Sequence, residues 1–364
     1  MIPEPDLASL VPWGWDAAVA MAFAPYAERG ALPGRVVVEE SGACLVMTPA
    51  GERPAALAGR FRHDHIGDPL AHPAVGDWVA VELSGGATTI VDRLPRRTVV
   101  VRRAPSDHAS PVQVVGANVD VMFVVMSLNG DFNLRRLERY LAVSWESGAR
   151  PVVLLSKADL AADVTGGVVA AESVAPGVAV LAVSAVSGDG LDAVRALLGV
   201  GRTAAFVGSS GVGKSTLVNA LAGRELLATA AVREEDQQGR HTTSRRQLVP
   251  LAEGVVLDTP GMRELGLADA DGLEAAFADV TAFAERCRFR DCAHRSEPGC
   301  AVRAAIADGR LPAGRLASLE RLEREARAAR RRTSAPARVA EERRWKMIAK
   351  HARQHARARD RGWS

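Results

Sequence analysis

Gly208-Ser209-Ser210-Gly211-Val212-Gly213-Lys214-Ser215 has the form G-x-x-x-x-G-K-[ST]. The glycines of this pattern let successive backbone N–H groups turn onto phosphate oxygens. An apolar run, Ala204-Ala205-Phe206-Val207, precedes the octet, and Ser215-Thr216-Leu217-Val218-Asn219-Ala220-Leu221 follows it and reads as a helix. Strand, loop and helix in this order suit the pattern, because the helix N-terminus adds partial positive charge at the phosphates. Lys214 is expected to reach the β- and γ-phosphates. Ser215 is expected to coordinate Mg²⁺, with Thr216 beside it in the first helical turn. The stretch implies nucleotide binding.

The choice of base is written upstream. Ser156-Lys157-Ala158-Asp159 directly follows the apolar run Pro151-Val152-Val153-Leu154-Leu155. In GTPases this place holds Asn-Lys-x-Asp, whose carboxylate accepts from guanine N1–H and the 2-amino group. A carboxylate there repels the acceptor edge of adenine. The next strand candidate, Ala179 to Val183, runs into Ser184-Ala185, which fits the element whose backbone N–H meets guanine O6. Ser156 stands where Asn is usual, so its tie to the phosphate loop is expected to be shorter and weaker.

Downstream, Val255-Val256-Leu257-Asp258-Thr259-Pro260-Gly261 is a strand ending in D-x-x-G. Asp258 is expected to hold Mg²⁺ through water, and the Gly261 N–H to bond the γ-phosphate. Between Arg233 and Arg246 lies Gly239-Arg240-His241-Thr242-Thr243. Thr243, with Thr242 close by, is expected to complete the Mg²⁺ shell in a segment that orders around the γ-phosphate. Base readers therefore precede the phosphate loop, and the switches follow it. Ordinary small GTPases run phosphate loop, switches, base readers, so the site belongs to a circularly permuted chain. Alternating strands and helices from Val119 onward place it on a doubly wound α/β domain.

The N-terminal third is built differently. Arg35–Glu39, Ala43–Met47, Ala55–Phe61, Asp77–Val81 and Thr88–Val91 are five short strand candidates, with turns at Ser41-Gly42, Ala50-Gly51 and Gly85-Gly86. They fit a small closed barrel, an oligonucleotide-binding (OB) fold first and an SH3-like barrel second. Residues 1–30, with Trp13, Trp15, Phe23 and Tyr26, suit a helix packed on it, and Pro105 to Pro111 reads as a linker. The expected domains are 1–104, the N-terminal segment and barrel; 105–279, the permuted GTPase; and 280–364, a metal-binding domain with a basic helical tail.

Cys287, Cys292, His294 and Cys300 form C-x₄-C-x-H-x₅-C and hold three of the four cysteines of the chain. Three thiolates and one imidazole suit one closed tetrahedral Zn²⁺ site of structural kind. Arg286, Arg288, Arg290 and Arg295, with Phe289, make its surroundings basic, as an RNA-binding surface would be. From Arg321 to the end there are fifteen Lys/Arg against five Asp/Glu, whereas the whole chain carries only +3. A basic tail on an otherwise acidic chain suggests a polyanionic partner. No stretch resembles a membrane span or signal segment, so the expected location is cytoplasmic.

With these motifs in hand, the chain closely resembles the bacterial small-ribosomal-subunit-dependent GTPase family, RsgA or YjeQ, over roughly residues 34–310. Ala117-Asn118-Val119-Asp120 and Asn133-Leu134-Arg135-Arg136-Leu137 fit it too. The resemblance implies binding to the small subunit and its rRNA late in maturation, through the barrel and zinc domain. It also implies subunit-stimulated hydrolysis of GTP to GDP, coupled to release. Ras-like enzymes orient water with a Gln after D-x-x-G, but Met262 stands there. His241 is the nearest polar candidate for that catalytic task, beside Lys214 and Thr243, and the resemblance points to it as well. A monomer is the simpler expectation. Competing readings are an RNA-binding checkpoint or chaperone in which GTP mainly sets affinity and turnover is incidental, and an ATPase in which Asp159 is unused.

Overall fold

The computed structural model describes residues 6–40, 43–66, 68, 70–103, 112–130, 132–227, 246–259 and 271–328. Within the first hundred residues run β1 (Leu32–Glu40), β2 (Ala43–Thr48), β3 (Gly51–Leu57), β4 (Trp78–Ser84) and β5 (Ala87–Arg93). Hydrogen bonding follows β1–β2–β3–β5–β4 and returns to β1, with only β3 and β5 parallel. The ring is therefore closed, and the OB arrangement is established over the SH3-like one. Val36, Val46, Val79, Val81 and Ile90 fill its interior. The strand expected over Ala55–Phe61 is corrected: β3 stops at Leu57, and helix α2 (Gly59–Asp64) follows. Gly59 interrupts the strand, and burial of Phe61 is achieved from that helix instead. Helix α1 (Ala17–Ala27), capped by Asp16, packs Val19 and Phe23 with Trp78 and Trp15 on the outside of the barrel.

The second unit is a sheet ordered β10–β9–β8–β11–β13–β12. Its strands are β8 (Val121–Ser127), β9 (Arg150–Ser156), β10 (Ala179–Ala182), β11 (Thr203–Val207), β12 (Arg246–Leu251) and β13 (Gly254–Asp258). The first five in that order are parallel and β12 is antiparallel to β13. Strands buried on both faces explain the near-continuous apolar runs, and every residue of β8 is buried. Helices α3 (Leu134–Ser147), α4 (Val164–Glu172), α5 (Leu191–Leu198) and α6 (Lys214–Ala222) cover the sheet, giving a core on each side. β6 (Val99–Arg103) and β7 (Val112–Ala117) form an antiparallel pair between barrel and sheet.

Barrel and sheet are one hydrogen-bonded surface. β1 pairs with β12, Val38 opposite Gln247 and Glu39 opposite Arg246. Helices α7 (Asp271–Ala276), α8 (Ala278–Ala284) and α9 (Ala301–Ala307) follow, and residues 313–328 are helical. α7 lies close on α3: a Cβ at Gly272 would collide with the backbone of Ala142 and Glu146. Among the described residues, no helix is long and apolar enough to cross a membrane.

Candidate functional site

The parallel strands end along one edge of the sheet. Ser127 sits opposite Ser156, Val207 opposite Val124, and Asp258 lies one step beyond the Ala205–Leu257 pair. In open α/β sheets the crevice at this edge is where ligands bind. Gly208 has φ +149°, and a Cβ there would strike the carbonyl oxygen of Val125. Gly211 and Gly213 take φ of +78° and +92°, backbone that an L side chain rarely adopts. Val212 is buried while Ser210 and Gly211 are exposed, so the loop is anchored at one point and open at its crown. Lys214 Nζ donates to the carbonyls of Gly208 at 2.7 Å and Ser209 at 2.6 Å, which holds the ammonium over the loop. Ser215 and Thr216 stand in the first turn of α6.

The turn at 156–159 is tied to this loop. Ser156 is buried, and its hydroxyl lies 2.7 Å from the Val212 carbonyl and 3.2 Å from that of Met126. Its single proton favours the shorter partner. Lys157 has φ +57°, so the chain reverses into the 3₁₀ turn at Ala158–Leu160. This places the exposed Asp159 over Ser184, whose hydroxyl donates to Asp159 Oδ1 at 2.6 Å. The same hydroxyl accepts from the Val186 and Ser187 N–H groups at 3.2 and 3.1 Å. Ala185 follows at the rim. Asp258 is half-buried at the end of β13. His241, Thr242, Thr243 and Gly261 lie outside the described residues, as do the linker at 105–111 and the tail beyond 328.

Two residues at this edge were not foreseen from the sequence. Arg136, in the first turn of α3, donates to the Ser209 hydroxyl across the cleft. Asn219 on α6 accepts from Leu226 N and Leu227 N, at 3.0 and 2.8 Å, and donates to the Leu227 carbonyl. It pins the chain just after the end of α6. An Asn within an otherwise apolar helical run was the signal available for Asn219; Arg136 lies in the Asn133–Leu137 stretch that fits the family, which gives it no role.

At the C-terminal end, the ligand atoms of Cys287, Cys292, His294 and Cys300 all lie within 4.8 Å of one another. Cys287 Sγ is 4.0 Å from Cys300 Sγ and 3.7 Å from His294 Nδ1, and Cys300 Sγ is 3.5 Å from that nitrogen. Tetrahedral bonds of about 2.3 Å to sulfur put ligand atoms about 3.8 Å apart. The atoms of Cys287, His294 and Cys300 therefore stand at metal-site spacing, and Cys292 lies close enough, within 4.8 Å, to close the set as a fourth ligand. Glu297 braces the loop by accepting from the N–H groups of Ala293, Arg295 and Ser296 at 3.0, 2.8 and 3.0 Å.

Strand order, loop geometry and the early position of the base-reading turn define a circularly permuted GTPase carried behind an OB barrel. A family model described as RsgA GTPase matches residues 93–268. The chain is 49% identical over 322 residues to the small ribosomal subunit biogenesis GTPase RsgA of Streptomyces coelicolor, covering 87% of this chain and 86% of that one. With the protein of the same name from Opitutus terrae it shares 45% over 362 residues, 96% and 98% of the two chains. The chain belongs to the RsgA GTPase family. The crystal structure of YjeQ from Thermotoga maritima superposes with a TM-score of 0.62 at 25% identity, covering 81% of this chain and 98% of that one. A structure described as YloQ, a circularly permuted GTPase, has the same fold, with a TM-score of 0.58 at 22% identity over 82% of this chain and 96% of that one.

Proposed function

We propose that this protein binds the small ribosomal subunit late in its maturation and hydrolyses GTP to time its own release. The observation that carries this reading is the near end-to-end similarity to relatives named for small-subunit biogenesis. The continuous β1–β12 pairing supports it, because the barrel then shares hydrogen bonds with the strand that leaves the switch segment. The barrel and the arginines around the cysteine cluster are the surfaces for rRNA. Phe289 is exposed there beneath the Arg288 guanidinium, 5.4 Å from its ring centroid, a stacking pair that suits single-stranded bases. The protein works as a monomer in the cytoplasm, where its subunit is.

In this reading Gly208 to Thr216 cradle the phosphates, and Ser215, Thr243 and Asp258 serve the Mg²⁺ ion. That ion neutralises charge on the β- and γ-phosphates when bound. Asp159 reads guanine, with Ser156 and Lys157 shaping its loop. The Ser184 N–H donates to the Asp189 carbonyl at 3.0 Å, so guanine O6 falls to Ala185. Gly261 meets the γ-phosphate, and His241 orients the attacking water. The metal of Cys287, Cys292, His294 and Cys300 is zinc, with a structural role, because all four ligands come from the protein.

The deciding experiment is GTP turnover with and without isolated small subunits, with ATP as the control. Slow turnover that rises manyfold with subunits is expected. Turnover indifferent to subunits would remove the proposal. His241→Ala should bind GTP normally and lose the stimulation; stimulated hydrolysis at the wild-type rate would clear His241 of its role.

A further inference from the structure

The phosphate loop is held from two directions at a single residue. Ser209 gives its backbone carbonyl to Lys214 Nζ at 2.6 Å. Its hydroxyl accepts from the Arg136 guanidinium, which arrives from α3, 73 positions earlier in the chain. Arg136 is itself fixed at its base. The side chain of Asn133 caps α3 by accepting from the Arg136 N–H at 3.1 Å, and the neighbouring Leu137 is fully buried. A side chain rooted in a capped, packed helical turn loses little further freedom when it reaches the loop. The bond it makes is charge-assisted and so stronger than a neutral one.

We propose that Arg136 is a positioning residue for GTP hydrolysis, acting through Ser209 on the ammonium of Lys214. Lys214 matters most when charge moves onto the oxygen that bridges the β- and γ-phosphorus atoms, which is the event of the transition state. A loop free to tilt at Ser209 lets that ammonium drift. Displacement of this kind costs the transition state more than the ground state, so it falls on kcat and leaves KM largely alone. The guanidinium also adds a fixed positive charge beside the anion-binding loop.

The test is a double-mutant cycle on intrinsic GTP turnover of the full-length protein with Mg²⁺. It is run without ribosomal particles, so its outcome is independent of the proposed partner. Arg136→Ala and Ser209→Ala are each expected to lower kcat about tenfold with KM changed less than about twofold. The pair together should be no worse than the poorer single variant, because both remove one link. Arg136→Lys, which keeps the charge and part of the reach, should recover part of the loss. Thermal unfolding of all four proteins reports whether the fold is intact, and Ser209→Ala, the mildest change, serves if Arg136→Ala fails to fold. Additive losses, losses confined to KM, or unchanged kcat in Ser209→Ala would each overturn the proposal.

Discussion

The guanidinium of Arg35, on barrel strand β1, donates a 2.7 Å hydrogen bond to the hydroxyl of Thr203, the first residue of the strand that carries the phosphate loop. The same side chain reaches the carbonyls of Trp13, Gly76 and Asn118. It is 1% exposed, and burial pulls its pKa down to about 10, with Asp120 the largest opposing charge. At neutral pH it is thus a buried cation joining the N-terminal segment, the barrel and the GTPase sheet. Arg35→Ala leaves several buried acceptors without a donor. A loss of about 3 kcal/mol or more is expected, measured as a lower urea midpoint. An unchanged midpoint would mean that the junction relaxes around the loss.

In the proposed function Asp159 decides the base. Its carboxylate, steadied by Ser184, only accepts, matching the two donors on the guanine edge. Asp159→Asn places an amide donor against the guanine 2-amino group, a clash that disappears with xanthine, which has a carbonyl there. GTP affinity is expected to fall by about a hundredfold while XTP gains relative to it. Competition between the two nucleotides for the variant is the measurement. Retained preference for GTP would show that the base is read elsewhere.

How far the sequence could be read depends on how local each device is. The phosphate loop and the turn at 156–159 are each written within a few consecutive positions and the Cys/His cluster within fourteen, so their spacing is close to their geometry. β12 escaped notice because Arg246 opens it like a loop. In the fold that arginine is nearly buried, bonded to the Val114 carbonyl at 2.9 Å and near Glu39 at 3.3 Å. The polar pair Asn118 and Asp120 likewise proves to be a joint. Asn118 bridges Gly76 and the Arg97 N–H, while Asp120 accepts from the Thr203 N–H at 2.7 Å. Such residues are legible only when the strands they join are already side by side.

Cys44 and Cys287 should differ sharply in chemistry. Burial, with help from the charges of Glu39 and Asp77, pushes the Cys44 thiol up to about 11. At pH 8 about one molecule in a thousand then carries the reactive thiolate. Cys287 is half-exposed, and the burial it has is outweighed by hydrogen bonds that hold its thiol below the ordinary value. Iodoacetamide applied with a metal chelator is expected to alkylate Cys287 well ahead of Cys44 in the folded protein, as read by peptide mass spectrometry. Equal labelling of all four without a chelator would deny the cluster a tightly held metal.

The C-terminal helices are locked to the GTPase core by a buried ion network centred on Arg315. Its guanidinium meets Glu138 of α3 at 2.8 Å and Asp279 of α8 at 2.6 and 2.9 Å, and lies 4.3 Å from the Phe277 ring centroid. Arg315 and Glu138 are 1% and 3% exposed at their side chains. Burial disfavours the cation, but the hydrogen bonds to Asp279 and Glu138 outweigh it, so the pKa stands above its ordinary value. Removing one partner is then worse than removing both, since an orphaned buried charge keeps its desolvation cost without its compensation. Arg315→Met alone, which leaves the buried Glu138 without its cation, should destabilise by about 3 kcal/mol. Glu138→Leu combined with Arg315→Met, which fills the space with apolar atoms, should recover much of that loss. Chemical unfolding of the three proteins decides it: a double variant weaker than the single would show that the network is a net source of stability, not mainly a determinant of how the two parts fit.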